Sequence, residues 1–203
     1  NQQAVFYAAG SIAWALDQLR QNWLHQNSER LIDQLPLTSP ENNEGGYVIV
    51  STITDAQSLF NLNNASTLEG KEELLRLIRT VKPDYPEAKA KQLAEETAKW
   101  VGGVALDTTS AQYYLDQKPP YRAAERLMAS RSEWLLVKGM EPQLFEQFKP
   151  FVTALPGETP INIQTAGEAV MTTLSPNLNV GTAKALIAIR QTAPFLTPEQ
   201  FLN

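Results

Sequence analysis

The chain predicts an α+β fold: one long helix with a small antiparallel sheet, then a large and almost wholly helical part. Three observations carry this. Residues 1–27 hold Val5, Ala9, Ile12, Leu16, Leu19 and Trp23 at steps of three and four, which draws one apolar stripe along a helix. Tyr47 to Ile53 is β-branched and aromatic without a breaker, and reads as a strand. After Asn64 the apolar pattern returns only in short helical runs punctuated by proline and glycine.

Composition narrows the function classes. With 203 residues, 43% of them apolar and 19% charged, the chain can bury a real core and is not disordered. A net charge of −5 argues against nucleic-acid binding, which needs a basic face. There is no cysteine, so a disulfide framework and a thiolate metal site are excluded. His25 is the only histidine, which leaves zinc sites and Ser-His-Asp triads without support. No phosphate-binding glycine loop is present. Glu72-Glu73 and Glu95-Glu96 are adjacent on helical runs, point in different directions, and make poor acid/base pairs. No catalytic constellation and no resident cofactor is expected. No run of about 20 apolar residues would span a bilayer.

In chain order, the first helix tolerates Gly10 at a cost of about 1 kcal/mol. Trp14 projects opposite the stripe with Tyr7 near it, and Phe6 and Leu24 flank the stripe. These four are either scattered surface aromatics and aliphatics, which are common, or a second contact face. Residues 31–38 end as an edge strand, and Ser39 to Gly46 is turn-rich. With Tyr47 to Ile53 they suggest a hairpin, which needs a helix beneath it; the stripe of the first helix is the expected floor. Asp55, Gln57, Asn61, Asn63 and Asn64 then alternate with Leu59, Phe60 and Leu62. Short amides and carboxylates bond nearby backbone and hold turns, while Phe60 and Leu62 anchor that turn to a core.

Leu68 to Val81 reads as a helix ended by Lys82-Pro83. A second begins around Pro86 and stops at Gly102-Gly103. Val104 to Pro120 reads as a long, poorly patterned connection. Ser130 to Glu133, Thr165 to Glu168 and Thr197 to Gln200 are three capping boxes that should each start a helix. Residues 129–152 and 162–192 therefore both read as helix, turn, helix. The expected division is 1–64 and 65–203, the latter split into 65–128 and two helix-hairpin-helix-like units in 129–203.

The stretch Thr54-Asp55-Ala56-Gln57-Ser58-Leu59-Phe60-Asn61-Leu62-Asn63 resembles a signature of the K-type minor pseudopilins of bacterial type II secretion. Pro120 to Ala124, Leu136 to Met140, and Pro160 to Ala166 with Asn162 resemble the same family in the same order. The resemblance implies a pilin-like helix and sheet carrying a large helical domain, with sheet strands following that domain; this sequence ends before any such strands. It implies an apolar segment that precedes the given residues and spans the inner membrane, with the rest in the periplasm. It implies a structural role: joining the I- and J-type minor pseudopilins and capping the tip of the pseudopilus. It favours a contact face on the first helix made of Phe6, Tyr7, Trp14 and Leu24, and structural roles for Asp55, Gln57, Phe60, Asn61, Asn63 and Asn162.

In that family the region after the Gly-Gly stop is acid-rich and implicated in calcium binding. Here Lys99 and Ser110-Ala111-Gln112 stand where carboxylates are usual. Calcium takes six to eight oxygens, several of them charged. Asp107 and Asp116 are all this loop offers, so calcium is expected to bind weakly at most. Residues 161–202 also resemble the helix-hairpin-helix domain of competence DNA-binding proteins. The turn Ser175 to Gly181 lacks the first glycine of that pattern, and Lys184 and Arg190 are the only cations after Pro150.

Overall fold

The computed structural model describes residues 2–24, 35–44 and 47–192. His25, the turn at 45–46 and the third expected capping box lie outside these residues. The chain forms two compact units, residues 1–55 and 56–203. The division falls at 55/56 and not at 64/65. Phe60, Asn61, Leu62 and Asn63 are the reason: all four are buried within the second unit.

In the first unit, α1 runs from Gln2 to Leu24. Among the described residues four short strands follow: β1 (Leu37–Thr38), β2 (Asn42–Glu44), β3 (Tyr47–Ile49) and β4 (Thr52–Ile53). They form one antiparallel ladder in two pieces, Leu37 opposite Ile53 and Asn42 opposite Ile49. Between the pieces one arm has an extra residue, a bulge around Pro40, where a missing N–H makes pairing impossible. Ser39 and Ser51 hold this break: the Ser39 N–H donates to the Ser51 carbonyl at 2.8 Å, and the Ser51 N–H donates to Ser39 Oγ at 3.0 Å. The strand expected from Tyr47 to Ile53 is thus interrupted, and the expected loop at 39–46 contains β2.

The second unit opens with a 3-10 turn at Ala56–Ser58, then β5 (Phe60–Asn61) and a further 3-10 segment, Leu62–Ser66. Helix α2 (Leu68–Val81) begins where Thr67 Oγ1 accepts the Gly70 N–H, and it ends before Pro83 as its sequence requires. It turns Leu74, Leu77 and Ile78 inward, one helical face completely buried. Helix α3 (Glu87–Trp100) packs on it through Ala90, Leu93 and Ala94 and stops at Gly102, whose φ of +82° suits glycine.

The expected connection at 104–120 contains a helix, α4 (Thr108–Leu115), capped by Asp107. Its buried side chains are Ser110 and Tyr114, only one of them aromatic or aliphatic, so no periodic apolar stripe marks it in the sequence. The box at Ser130 to Glu133 is formed, but it starts a 3-10 segment (Arg131–Leu136) rather than an α-helix. Within this segment the Trp134 ring is buried edge-on to Phe148, and its Nε1–H donates to Thr97 Oγ1 at 2.8 Å. Helix α5 (Pro142–Phe148) and strand β6 (Val152–Thr153) follow. β6 pairs parallel with β5, Phe60 opposite Val152.

Helix α6 is only Glu168–Met171 and is capped from Gly167. The expected box at Thr165 is not built. Its backbone is engaged in a turn on Asn162, whose carbonyl accepts the N–H groups of Thr165 and Ala166 and whose Oδ1 accepts that of Gln164. Helix α7 (Val180–Thr192) starts at Asn179, whose Oδ1 accepts the Thr182 N–H. The two expected helix-hairpin-helix-like units therefore have irregular first arms, one 3-10 and one a single turn.

Candidate interaction surface

The first unit gives a definite orientation to α1. Tyr7, Ser11, Trp14, Ala15 and Gln18 are half-buried, and their spacing of three and four marks one side of the helix. Phe6, Tyr7 and Trp14 line a cleft whose other wall is Ser39 to Asn42 with Ile49 and Ser51. The regular stripe lies outside it: Val5 is 69% exposed, Ile12 62%, Leu16 60% and Leu19 43%. This reverses the expected orientation. The stripe does not floor the sheet, and Tyr7 and Trp14 face the unit's own hairpin. Phe6 is 74% exposed and sits at the cleft's mouth. The side chains of Trp23 and Leu24 lie outside the described residues. The reason is chemical: the hairpin presents a polar, bulged edge with Pro40 and Asn42. Amphipathic Trp and Tyr rings suit such an edge better than a row of aliphatic groups.

The polar turn after the sheet is a set of amide clamps. Asn61 Nδ2 donates to the Gly157 carbonyl at 2.9 Å, while its Oδ1 accepts the N–H groups of Asn63 and Leu155. Asn63 is completely buried; its Nδ2 donates to the carbonyls of Met128 and Leu155, and its Oδ1 accepts the Met128 N–H at 2.8 Å. Asn64 exchanges a pair of bonds with the Thr159 backbone, both at 3.0 Å. Gln57 Nε2 donates to the Pro160 carbonyl, and its own carbonyl accepts the Asn162 N–H. An amide carries both donor and acceptor and so replaces a strand neighbour for an irregular segment. Asp55, half-buried, ends the first unit.

The two candidate calcium carboxylates are apart in role. Asp116 is exposed at the end of α4 and accepts from Gln112 Nε2 at 2.7 Å. Asp107 is an N-cap: Oδ1 accepts the Ser110 N–H at 2.8 Å and Oδ2 accepts Lys99 Nζ at 2.6 Å. These bonds hold its carboxyl well below the usual carboxylate range. Lys99 Nζ also donates to Glu96 Oε1 at 2.9 Å and Ser110 Oγ at 3.1 Å. Burial works against its charge, but the bonds to Asp107 and Glu96 and their charges outweigh it and keep the ammonium above the ordinary lysine range. A lysine amine already occupies the oxygens that a cation would need, so these residues do not fit a bound calcium. Among the described residues no group of three or more histidine, aspartate or glutamate side chains converges.

Sequence reasoning missed this network. Its signals were the Asp107-to-Ser110 cap spacing and the Glu96-to-Lys99 step of three along one helix face. Glu95 and Glu96 do point apart, Glu95 to Lys71 at 2.8 Å and Glu96 inward. At the second expected hairpin, Lys184 is exposed, whereas Arg190 donates to the Ile163 carbonyl, with burial lowering its pKa.

The first unit sets a long helix beside a small antiparallel sheet, and the second is mostly helical. Residues 58–157 and 161–203 match two family models, both described as "Type II secretion system (T2SS), protein K". The chain belongs to the protein K family of the type II secretion system, a family of minor pseudopilins. It is 28% identical to the type II secretion system protein K of Klebsiella pneumoniae, over all of this chain and 67% of that one. Against the Pseudomonas aeruginosa protein K the identity is 26%, over 98% of this chain and 64% of the relative. The chain thus spans about two thirds of the length of these relatives. It shares its fold with a chain in the crystal structure of the GspK-GspI-GspJ complex from enterotoxigenic Escherichia coli. The TM-score is 0.66 at 24% identity, over 92% of this chain and 80% of that chain.

Proposed function

We propose that this chain is a non-catalytic building block of the pseudopilus that binds I- and J-type minor pseudopilins through the exposed apolar face of α1. The observation that carries the reading is the row Val5, Ile12, Leu16 and Leu19, with Phe6 beside it, standing in solvent along the most regular stripe of the helix. A contiguous apolar face of this kind marks an interaction site, and helices pack through such rows. The E. coli complex is named for GspK, GspI and GspJ together, which supports the choice of partners. In this reading the unit is periplasmic, anchored by a membrane segment preceding α1, and the second unit sits at the pseudopilus tip, where its bulk stops further subunits from stacking. The amide side chains of Asn61, Asn63 and Asn162, with Asp55 and Gln57, serve the fold and not chemistry.

The test is co-purification with I- and J-type subunits. Leu16→Asp in an Ile12→Asp background should reduce complex recovery at least tenfold, about 1.4 kcal/mol or more, with the melting temperature unchanged. Trp14→Ala should do the opposite, lowering the melting temperature because the ring lines the unit's own cleft. Full recovery of the complex with both aspartates in place would exclude this face as the contact. Nucleic acid is not a partner in this proposal: Arg190 is spent on Ile163, which leaves Lys184 beside the turn at 175–181. Gel shifts with duplex DNA at physiological salt should show no sub-micromolar complex, and such a complex would favour the DNA-binding alternative.

A further inference from the structure

The junction between α3 and α4 is built around one positive charge. Lys99 Nζ meets oxygens from both helices and from the cap between them: Glu96 Oε1 at 2.9 Å, Asp107 Oδ2 at 2.6 Å and Ser110 Oγ at 3.1 Å. Ser110 Oγ in turn donates to Glu96 Oε1 at 2.7 Å. The side chains of Lys99 and Glu96 are 10% and 4% exposed, so the charge is almost wholly withdrawn from water. Glu96 Oε2 is buried with no hydrogen-bond partner. A carboxylate oxygen left so is costly, and the ammonium beside this carboxylate offsets part of that cost. Among the described residues one other cation approaches, Lys138 Nζ, at 3.8 Å from Glu96 Oε1, and it lies over the Tyr113 ring.

Oxygens from two carboxylates and a hydroxyl converging on one point from two helices are the surroundings a hard cation seeks. Here the point is filled from within the chain. We propose that the Lys99 ammonium is a tethered cation that locks α4 onto α3, taking the place of a bound divalent ion and making the second unit independent of metal. The lock has a structural consequence. Asp107 caps α4, and Tyr114 of α4 packs edge-on to Trp100 at the end of α3 with its ring centroid 5.5 Å away. Losing the ammonium would free Asp107 and Glu96 to repel each other across the same junction that seats this aromatic pair.

Thermal unfolding of the whole chain, with EDTA or with millimolar calcium chloride, tests this, with magnesium chloride as the ionic-strength control. The wild type should melt at the same temperature in all three. Lys99→Ala should melt several degrees lower in EDTA, and calcium should restore a clear part of the loss, because removing the side chain leaves two carboxylates, a hydroxyl and room for a hydrated ion. A second variant covers the case in which Lys99→Ala does not fold. Glu96→Gln combined with Lys99→Met removes both charges, and should fold, melt above Lys99→Met alone, and ignore calcium. The proposal is overturned if calcium raises the wild-type melting temperature above the magnesium control, or if Lys99→Ala melts with the wild type. It is overturned equally if calcium recovers nothing in a folded Lys99→Ala, or if the double variant melts no higher than Lys99→Met.

Discussion

Asn63 is the side chain that ties the backbone at Met128 to that at Leu155. It is completely buried and bonds both the N–H and the carbonyl of Met128 and the carbonyl of Leu155. Asn63→Ala would leave the buried N–H and carbonyl of Met128 without this partner, while the Leu155 carbonyl keeps a bond from Asn61 Nδ2 at 3.4 Å. Each orphaned group costs roughly 1–3 kcal/mol, so the variant should be among the most destabilised single substitutions in the chain. Asn61→Ala should be destabilised as well, since the Gly157 carbonyl and the Leu155 N–H lose their partner. Denaturant unfolding measures both. A midpoint for Asn63→Ala within error of the wild type would mean that water replaces the amide, and that the clamp contributes little.

At the scale of elements, α2 carries a glycine that helix propensity alone would replace. Gly70 sits in its first turn, where alanine is ordinarily better by about 1 kcal/mol. The backbone of the preceding 3-10 segment forbids it: a β-carbon at Gly70 would overlap the carbonyl of Asn64, a backbone atom that no rotamer can move aside. Asn64 is itself fixed by its paired bonds to Thr159. Gly70→Ala should therefore destabilise where propensity says it stabilises, with the melting temperature falling by several degrees. A rise would show that the segment from Leu62 to Ser66 yields easily, and that the close approach is incidental.

For the whole molecule, the division at 55/56 separates two kinds of stability. Every fully buried large side chain among the described residues, from Phe60 to Met171, belongs to the second unit. The first unit instead leaves Val5, Ile12 and Leu16 in solvent. Residues 56–203 should accordingly fold alone, with a cooperative transition at nearly the melting temperature of the whole chain. Residues 1–55 alone should melt broadly or not fold, since short two-stranded pairings over one helix are marginal in water. Calorimetry on the two pieces decides it; a second piece that needs the first in order to fold would refute the independence. This asymmetry is what a subunit needs if its long helix is completed by its neighbours while its helical unit stays rigid.

What the sequence determined by itself is what depends on near neighbours along the chain. The extent of α2 follows from its stripe and from Pro83, that of α3 from Gly102-Gly103, and the cap at Ser130 from Glu133 three residues on. The amides around Asn61 announced irregular backbone, but only the bond from the Asn63 N–H to Asn61 Oδ1 is local; the others reach Met128, Leu155, Gly157 and Thr159, which the sequence did not indicate. The tertiary structure alone decided who the partners are. Periodicity showed that α1 has an apolar stripe and aromatic groups off it, but not that the bulged edge at Ser39 to Asn42 would receive Tyr7 and Trp14 and leave the stripe free. The pairing of β5 with β6 joins residues far apart in sequence, which no local pattern encodes. Lys99 reads locally as a surface lysine near the end of a helix. It becomes an internal cation because Asp107 and Ser110 fold back onto the face that Glu96 already occupies, and Coulomb attraction acts across space rather than along the chain.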